Sequence, residues 1–134
     1  MTGGQNVSIP LTWNNVPSKA KSFALSIIDP HPVANNWIHW IVINIPGNCT
    51  SLVEKASGMN MPSGSKELYN SFGELGYGGP HPPKGSGPHP YVITLFALSE
   101  DKLDLPTNAS LTAFQKALEV KVIASSKITG IYEQ

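Results

Sequence analysis

Three apolar runs stand out in an otherwise polar, turn-rich chain: Lys21–Asp29, Trp37–Ile45 and Tyr91–Leu98. Each is short, dense in Ile, Val, Leu and aromatic residues, and bounded by turn formers, which predicts core strands. Pro30 and Pro32 stop the first run, and Pro46-Gly47 closes the second. With a two-residue period, Trp37, His39 and Ile41 share one face of the second strand, and Ile38, Trp40 and Val42 the other. A different rhythm begins after Ser110. Leu111, Phe114, Leu118 and Val122 fall at helical spacing, which predicts a helix over 110–124 with Ser110 as N-cap. Lys127–Tyr132 reads as a short last strand, Ser51–Ser57 as one helical turn, and 58–76 as loop. Leu11 and Trp13, in the turn-rich first twenty residues, are expected to cover the core edge. Strands dominate and are joined by loops rather than crossover helices. The expected fold is a mainly β antiparallel sandwich with peripheral helices, a single domain over 1–134.

The stretch Tyr77–Tyr91 changes the picture. Nine of its fifteen residues are Gly or Pro, so it cannot be helical. It mixes both residue types, carries His81, His89, Tyr77 and Tyr91, and runs straight into the third strand. A rigid loop anchored on a core strand can hold backbone amides in one geometry, which suits small anions. A tight loop so rich in X-Pro bonds is also expected to use at least one cis bond.

Composition narrows the function. The formal net charge is zero, so nothing favours nucleic acid or an anionic membrane. The chain contains no Arg, which removes a bidentate grip on phosphate. Cys49 is the only cysteine, so no internal disulfide is expected. With no basic-then-apolar leader at the N-terminus and no run of transmembrane length, a cytoplasmic protein is expected.

Four positions can converge. Asp29, the only acid among the first 53 residues, ends the first strand. His39 lies within the second, and His89 and Tyr91 enter the third two residues apart. An Asp beside two imidazoles favours their protonated forms. Imidazolium, the tyrosine hydroxyl and loop amides such as Gly79 then make an anion pocket, with binding expected to weaken above the histidine pKa near 6.5. The bland alternative makes His39 a satisfied core histidine and His89 a turn residue. A metal site of Asp29, His39 and His89 competes, but the short ligand spacing of metal motifs is absent, and no metal or cofactor is expected. For a hydrolase, Ser86 in Gly-Ser-Gly is the one candidate nucleophile, and no Gly-x-Ser-x-Gly elbow exists. No catalytic activity is therefore expected. His31 and His81, set among prolines, read as rim residues.

Asp29-Pro30, His39-Trp40, Asn70-Ser-Phe-Gly73 and the long Tyr77–Tyr91 motif together resemble the phosphatidylethanolamine-binding protein family, closest to its bacterial and archaeal branch. The likeness extends from Gly3-Gly4 to Tyr132. It implies a large antiparallel sheet with a smaller sheet and helices, and a pocket for phosphate or phosphoethanolamine. That pocket would be lined by Asp29, His39, Gly79, Pro83, His89 and Tyr91, with Trp37 at its mouth. Its members differ in role, so serine protease inhibition through a loop around Asn60–Lys66 is the alternative. Two departures from the family pattern matter. His31 replaces the usual second acid of the Asp-Pro-Asp motif, which should make the pocket less negative. The chain also begins about one strand late, which would leave an edge open to self-association as a homodimer.

Overall fold

A computed structural model describes residues 7–79 and 84–132. Its main sheet has five antiparallel strands in the order β5-β3-β2-β6-β7: β2 (Ser22–Asp29), β3 (Trp37–Pro46), β5 (Lys66–Glu67), β6 (His89–Leu98) and β7 (Val122–Tyr132). β1 (Leu11–Thr12) and β4 (Ser51–Leu52) form a second, two-stranded sheet. One helix, α1 (Leu111–Leu118), completes the described elements. The predicted strands are neighbours, with β2 between β3 and β6.

β2 lies at the centre because both of its faces are apolar. Phe23, Leu25 and Ile27 face one cluster with Trp40, Val42 and Tyr91, covered by Leu52 and by Leu11 and Trp13. Ala24 faces the other cluster, with Ile41, Ile43 and Leu98, under Leu103, Leu105 and the α1 residues Phe114 and Leu118. Burial on both sides explains why β2 reads as a continuous apolar run rather than an alternating one. Each fully buried Phe or Leu contributes about 1.5–3 kcal/mol.

Three local expectations are corrected. First, strict alternation fails in β3. Ile27 pairs with Trp40 but Ile28 pairs with Ile38, so His39 is the extra residue of a β-bulge. Trp37, opposite Asp29, and Trp40, opposite Ile27, share one face, while Ile38 joins Ile41 on the other. Second, α1 stops at Leu118 rather than at 124. Its N-cap is as expected, the Ser110 hydroxyl accepting from the Ala113 amide at 3.1 Å. Lys121 N–H then closes onto the Leu118 carbonyl, and Val122 opens β7 by pairing with Leu98. The β-branched Val120, Val122 and Ile123 suit a ladder better than a fourth helical turn. Third, residues 51–57 hold β4 and turns, not helix.

Candidate functional site

The site forms where β2 ends and β6 begins. Asp29 and His89 are buried, with His89 fully shielded from solvent. Asp29 Oδ2 lies 2.5 Å from His89 Nδ1. A carboxylate only accepts, so Nδ1 carries the hydrogen and donates. In the neutral ring, Nε2 is then a bare acceptor, and the Ser86 hydroxyl meets it at 2.7 Å. Asp29 Oδ1 accepts the His31 backbone amide at 2.9 Å, a local turn that folds the Asp-Pro-His segment back on the strand end. This turn places the His31 ring on His89, stacked at 3.9 Å between centroids and 11° between planes. The Val33 amide donates to His31 Nδ1 and holds the ring there.

His39 approaches from β3. The bulge turns it toward Tyr91, whose ring meets it edge-on at 4.6 Å. His39 and the Gly78 backbone are locked reciprocally. His39 Nδ1–H donates to the Gly78 carbonyl at 2.8 Å, and Gly78 N–H donates to the His39 carbonyl at 2.8 Å. Burial pushes the His39 imidazole below the usual 6.5, outweighing the upward pull of the Gly78 hydrogen bond, the Asp29 charge and the Gly79 backbone. Asp29 thus favours protonated His39, as expected, but desolvation is the larger effect.

The segment 69–79 is braced against the β3 edge. The buried Asn70 side chain accepts from the Phe72 and Glu74 amides and donates to the Gly76 carbonyl. Ser71 bonds Ile38 twice, through its amide and its hydroxyl. This turn presents Phe72, which meets Trp37 at 5.1 Å and 75° and His39 at 6.0 Å. A Cβ on Gly78 would fall 2.4 Å from the Phe72 ring, so the close approach of the loop to that ring needs glycine.

Asp29, His39, His89, Tyr91 and the half-buried Trp37 thus lie at one end of the sheet, with the Gly78-Gly79 backbone beside them. Pro83 and His81 lie outside the described residues. So do Pro80 and Pro82, while the X-Pro bonds at Pro88 and Pro90 are trans. The sequence reading missed two members. His31 is a stacked partner of His89 rather than a rim residue, and its signal was its place two residues after a strand-ending Asp. Ser86, weighed as the one candidate nucleophile but not placed in the pocket, lies three residues before His89, within reach of its Nε2.

Among the described residues, a five-stranded antiparallel sheet with a small second sheet, and a buried Asp–His pair at one sheet end, define a family. Residues 1–133 match phosphatidylethanolamine-binding protein, and the chain belongs to that family. It is 40% identical to the UPF0098 protein YbcL of Escherichia coli over 134 residues, covering 97% of this chain and 73% of YbcL. A UPF0098 protein of Methanothermobacter thermautotrophicus is 42% identical, covering 98% of this chain and 85% of the relative. The YbcL crystal structure, described as a new member of the mammalian PEBP family, superposes with a TM-score of 0.90, covering 96% of this chain and 81% of YbcL. Among the described residues no helix is long and apolar enough to cross a membrane.

Proposed function

We propose that this protein binds small phosphate-like anions, such as inorganic phosphate or a phosphoethanolamine headgroup, at the Asp29–His89 site, and acts by binding rather than turnover. The observation that carries the reading is the buried Asp29–His89 pair with His39 and Tyr91 grouped beside it. With no Arg in the chain, imidazole and neighbouring donors must supply the grip. His39 Nδ1 is committed to Gly78, so protonation adds a donor at Nε2. Because burial lowers the His39 pKa, that donor is gained below pH 6.5. Calorimetric titration with phosphate and with phosphoethanolamine, at pH 5.5 and pH 8, tests the reading. Affinity should be higher at pH 5.5 and lost in His89→Ala. Equal affinity in both proteins refutes it.

Serine protease inhibition through the loop around Asn60–Lys66 is a second reading, supported by Met59 standing 84% exposed beside it. Lys66 is not available to a protease, since its Nζ donates to the Leu105 carbonyl at 2.5 Å. Inhibition would therefore rest on residues 59–64 and survive His39→Ala. No effect on chymotrypsin-like and elastase-like enzymes at high molar excess removes it. A cytoplasmic location and self-association belong to the same proposal. The long β7, an edge strand whose outer side has no partner strand among the described residues, is the surface that supports pairing. Sedimentation of the purified protein tests it.

A further inference from the structure

We propose that Ser86 is an activated nucleophile that takes a phosphonyl or acyl group from a small activated ester, with His89 as its general base. The inference rests on the reading that a tetrahedral anion seats at His89, because the tetrahedral intermediate of acyl transfer and the phosphonyl adduct on serine share that shape.

The geometry follows the nucleophile–base–orienter arrangement. Ser86 Oγ is 2.7 Å from His89 Nε2, and His89 Nδ1 is 2.5 Å from Asp29 Oδ2. Because His89 Nδ1–H donates to Asp29, the lone pair of the neutral ring lies on Nε2 and points at the serine hydroxyl, the tautomer a general base needs. The His31 ring stacked on His89 limits rotation of the imidazole. Ser86 is half-buried between Gly85 and Gly87, whose φ angles of 82° and 88° make a tight turn that holds the serine over the ring. The serine is thus part-exposed while its base is shielded.

With a fluorophosphonate, the step balances as follows. Ser86 Oγ forms a bond to phosphorus as the P–F bond breaks. Fluoride leaves with the bonding pair. The serine proton passes to His89 Nε2, and Asp29 faces the resulting imidazolium. Attack on a carboxylic ester is analogous, with the alkoxide or phenoxide leaving. The adduct fills the place of the bound anion, so the outcome is one group captured per chain rather than turnover.

The test uses the full chain with a small fluorophosphonate, read by intact mass and peptide mapping, beside phosphate calorimetry on the same preparation. One adduct per chain, on Ser86, is expected. Ser86→Ala should give none. His89→Gln should slow labelling by about 100-fold or more, the usual contribution of a general base, with circular dichroism confirming that it folds. Wild-type protein that binds phosphate but stays unlabelled overturns the nucleophile while leaving the binding site intact. An adduct on another residue, or equal labelling rates in wild type and folded His89→Gln, overturns it too. Labelling of Ser86 without phosphate affinity supports the nucleophile and fails the binding reading separately.

Discussion

Replacing Glu67 by Ala should unfasten the Gly/Pro loop from the sheet. Glu67 sits on β5 opposite Val42 and gathers three donors. Its Oε2 accepts from Trp40 Nε1 at 2.9 Å and from the Ser57 hydroxyl, and its Oε1 accepts the Gly58 amide at 2.7 Å. Ser57 Oγ in turn accepts the Tyr77 amide at 2.8 Å, and the Tyr77 ring meets Trp40 edge-on at 5.6 Å. Trp40 is fully buried, so losing Glu67 orphans an indole N–H that water cannot reach. Such an orphan costs about 1–3 kcal/mol. Gly58 is exposed and can turn to water, so the Gly58 and Ser57 bonds together add about 1 kcal/mol. The sum is roughly 2–4 kcal/mol, or a Tm lower by about 6–15 °C for a chain of this length. Urea unfolding followed by tryptophan fluorescence measures it. In a Trp40→Phe background the same substitution should cost about 1 kcal/mol less, since the indole donor is already gone. A loss below about 0.5 kcal/mol for Glu67→Ala, or no coupling to Trp40, refutes the reasoning.

Two further outcomes follow from named contacts. Burial lowers the His39 pKa below its unfolded value of 6.5, so the unfolded chain binds more protons there. His39 thus leaves stability intact above pH 6.5 and removes it as pH falls from 6.5 toward the folded pKa; urea midpoints between pH 7.5 and pH 5 should show a shallower decline in His39→Asn. A Cβ on Gly47 would sit 2.8 Å from the Lys21 carbonyl oxygen, a backbone atom with no room to move. Gly47→Ala should therefore cost about 1–3 kcal/mol by urea unfolding, and an unchanged midpoint would contradict it.

The three core strands were legible because each is a run of apolar, β-prone residues closed by Pro, Gly or a strand-ending acid. The helix start was legible at Ser110, a side-chain cap written in one residue. Its end was not, because Val122 fits the helical period of Leu111 and Leu118 as well as a strand, and only pairing with Leu98 decides between them. The His39 bulge was not legible either. A bulge is set by register against β2, which local alternation does not encode. The site was half legible. Asp29 and His89 announced themselves as lone polar residues at strand ends, whereas the stacking of His31 on His89 depends on a turn made by Asp29 itself.

The same pair gives the sharpest reason to regard this end of the sheet as functional. Asp29 and His89 are almost wholly desolvated. A buried ionisable pair seldom outperforms apolar side chains of similar volume, because desolvation of both groups offsets their attraction. The neighbouring positions of this sheet, Ile27 on β2 and Tyr91 on β6, are core residues of ordinary kind. If stability alone set the choice, Leu and Phe would serve at 29 and 89. Removing one partner is different, since it leaves the other polar group buried and alone. Asp29→Leu alone should therefore cost about 3–5 kcal/mol. The double variant Asp29→Leu with His89→Phe should recover that loss and reach or exceed wild type by about 1–4 kcal/mol. It should bind no phosphate and take no label at Ser86. Urea unfolding of the three proteins decides the matter. A double variant as unstable as Asp29→Leu would mean that the pair is held for the fold, and the argument from its cost to its function would fall.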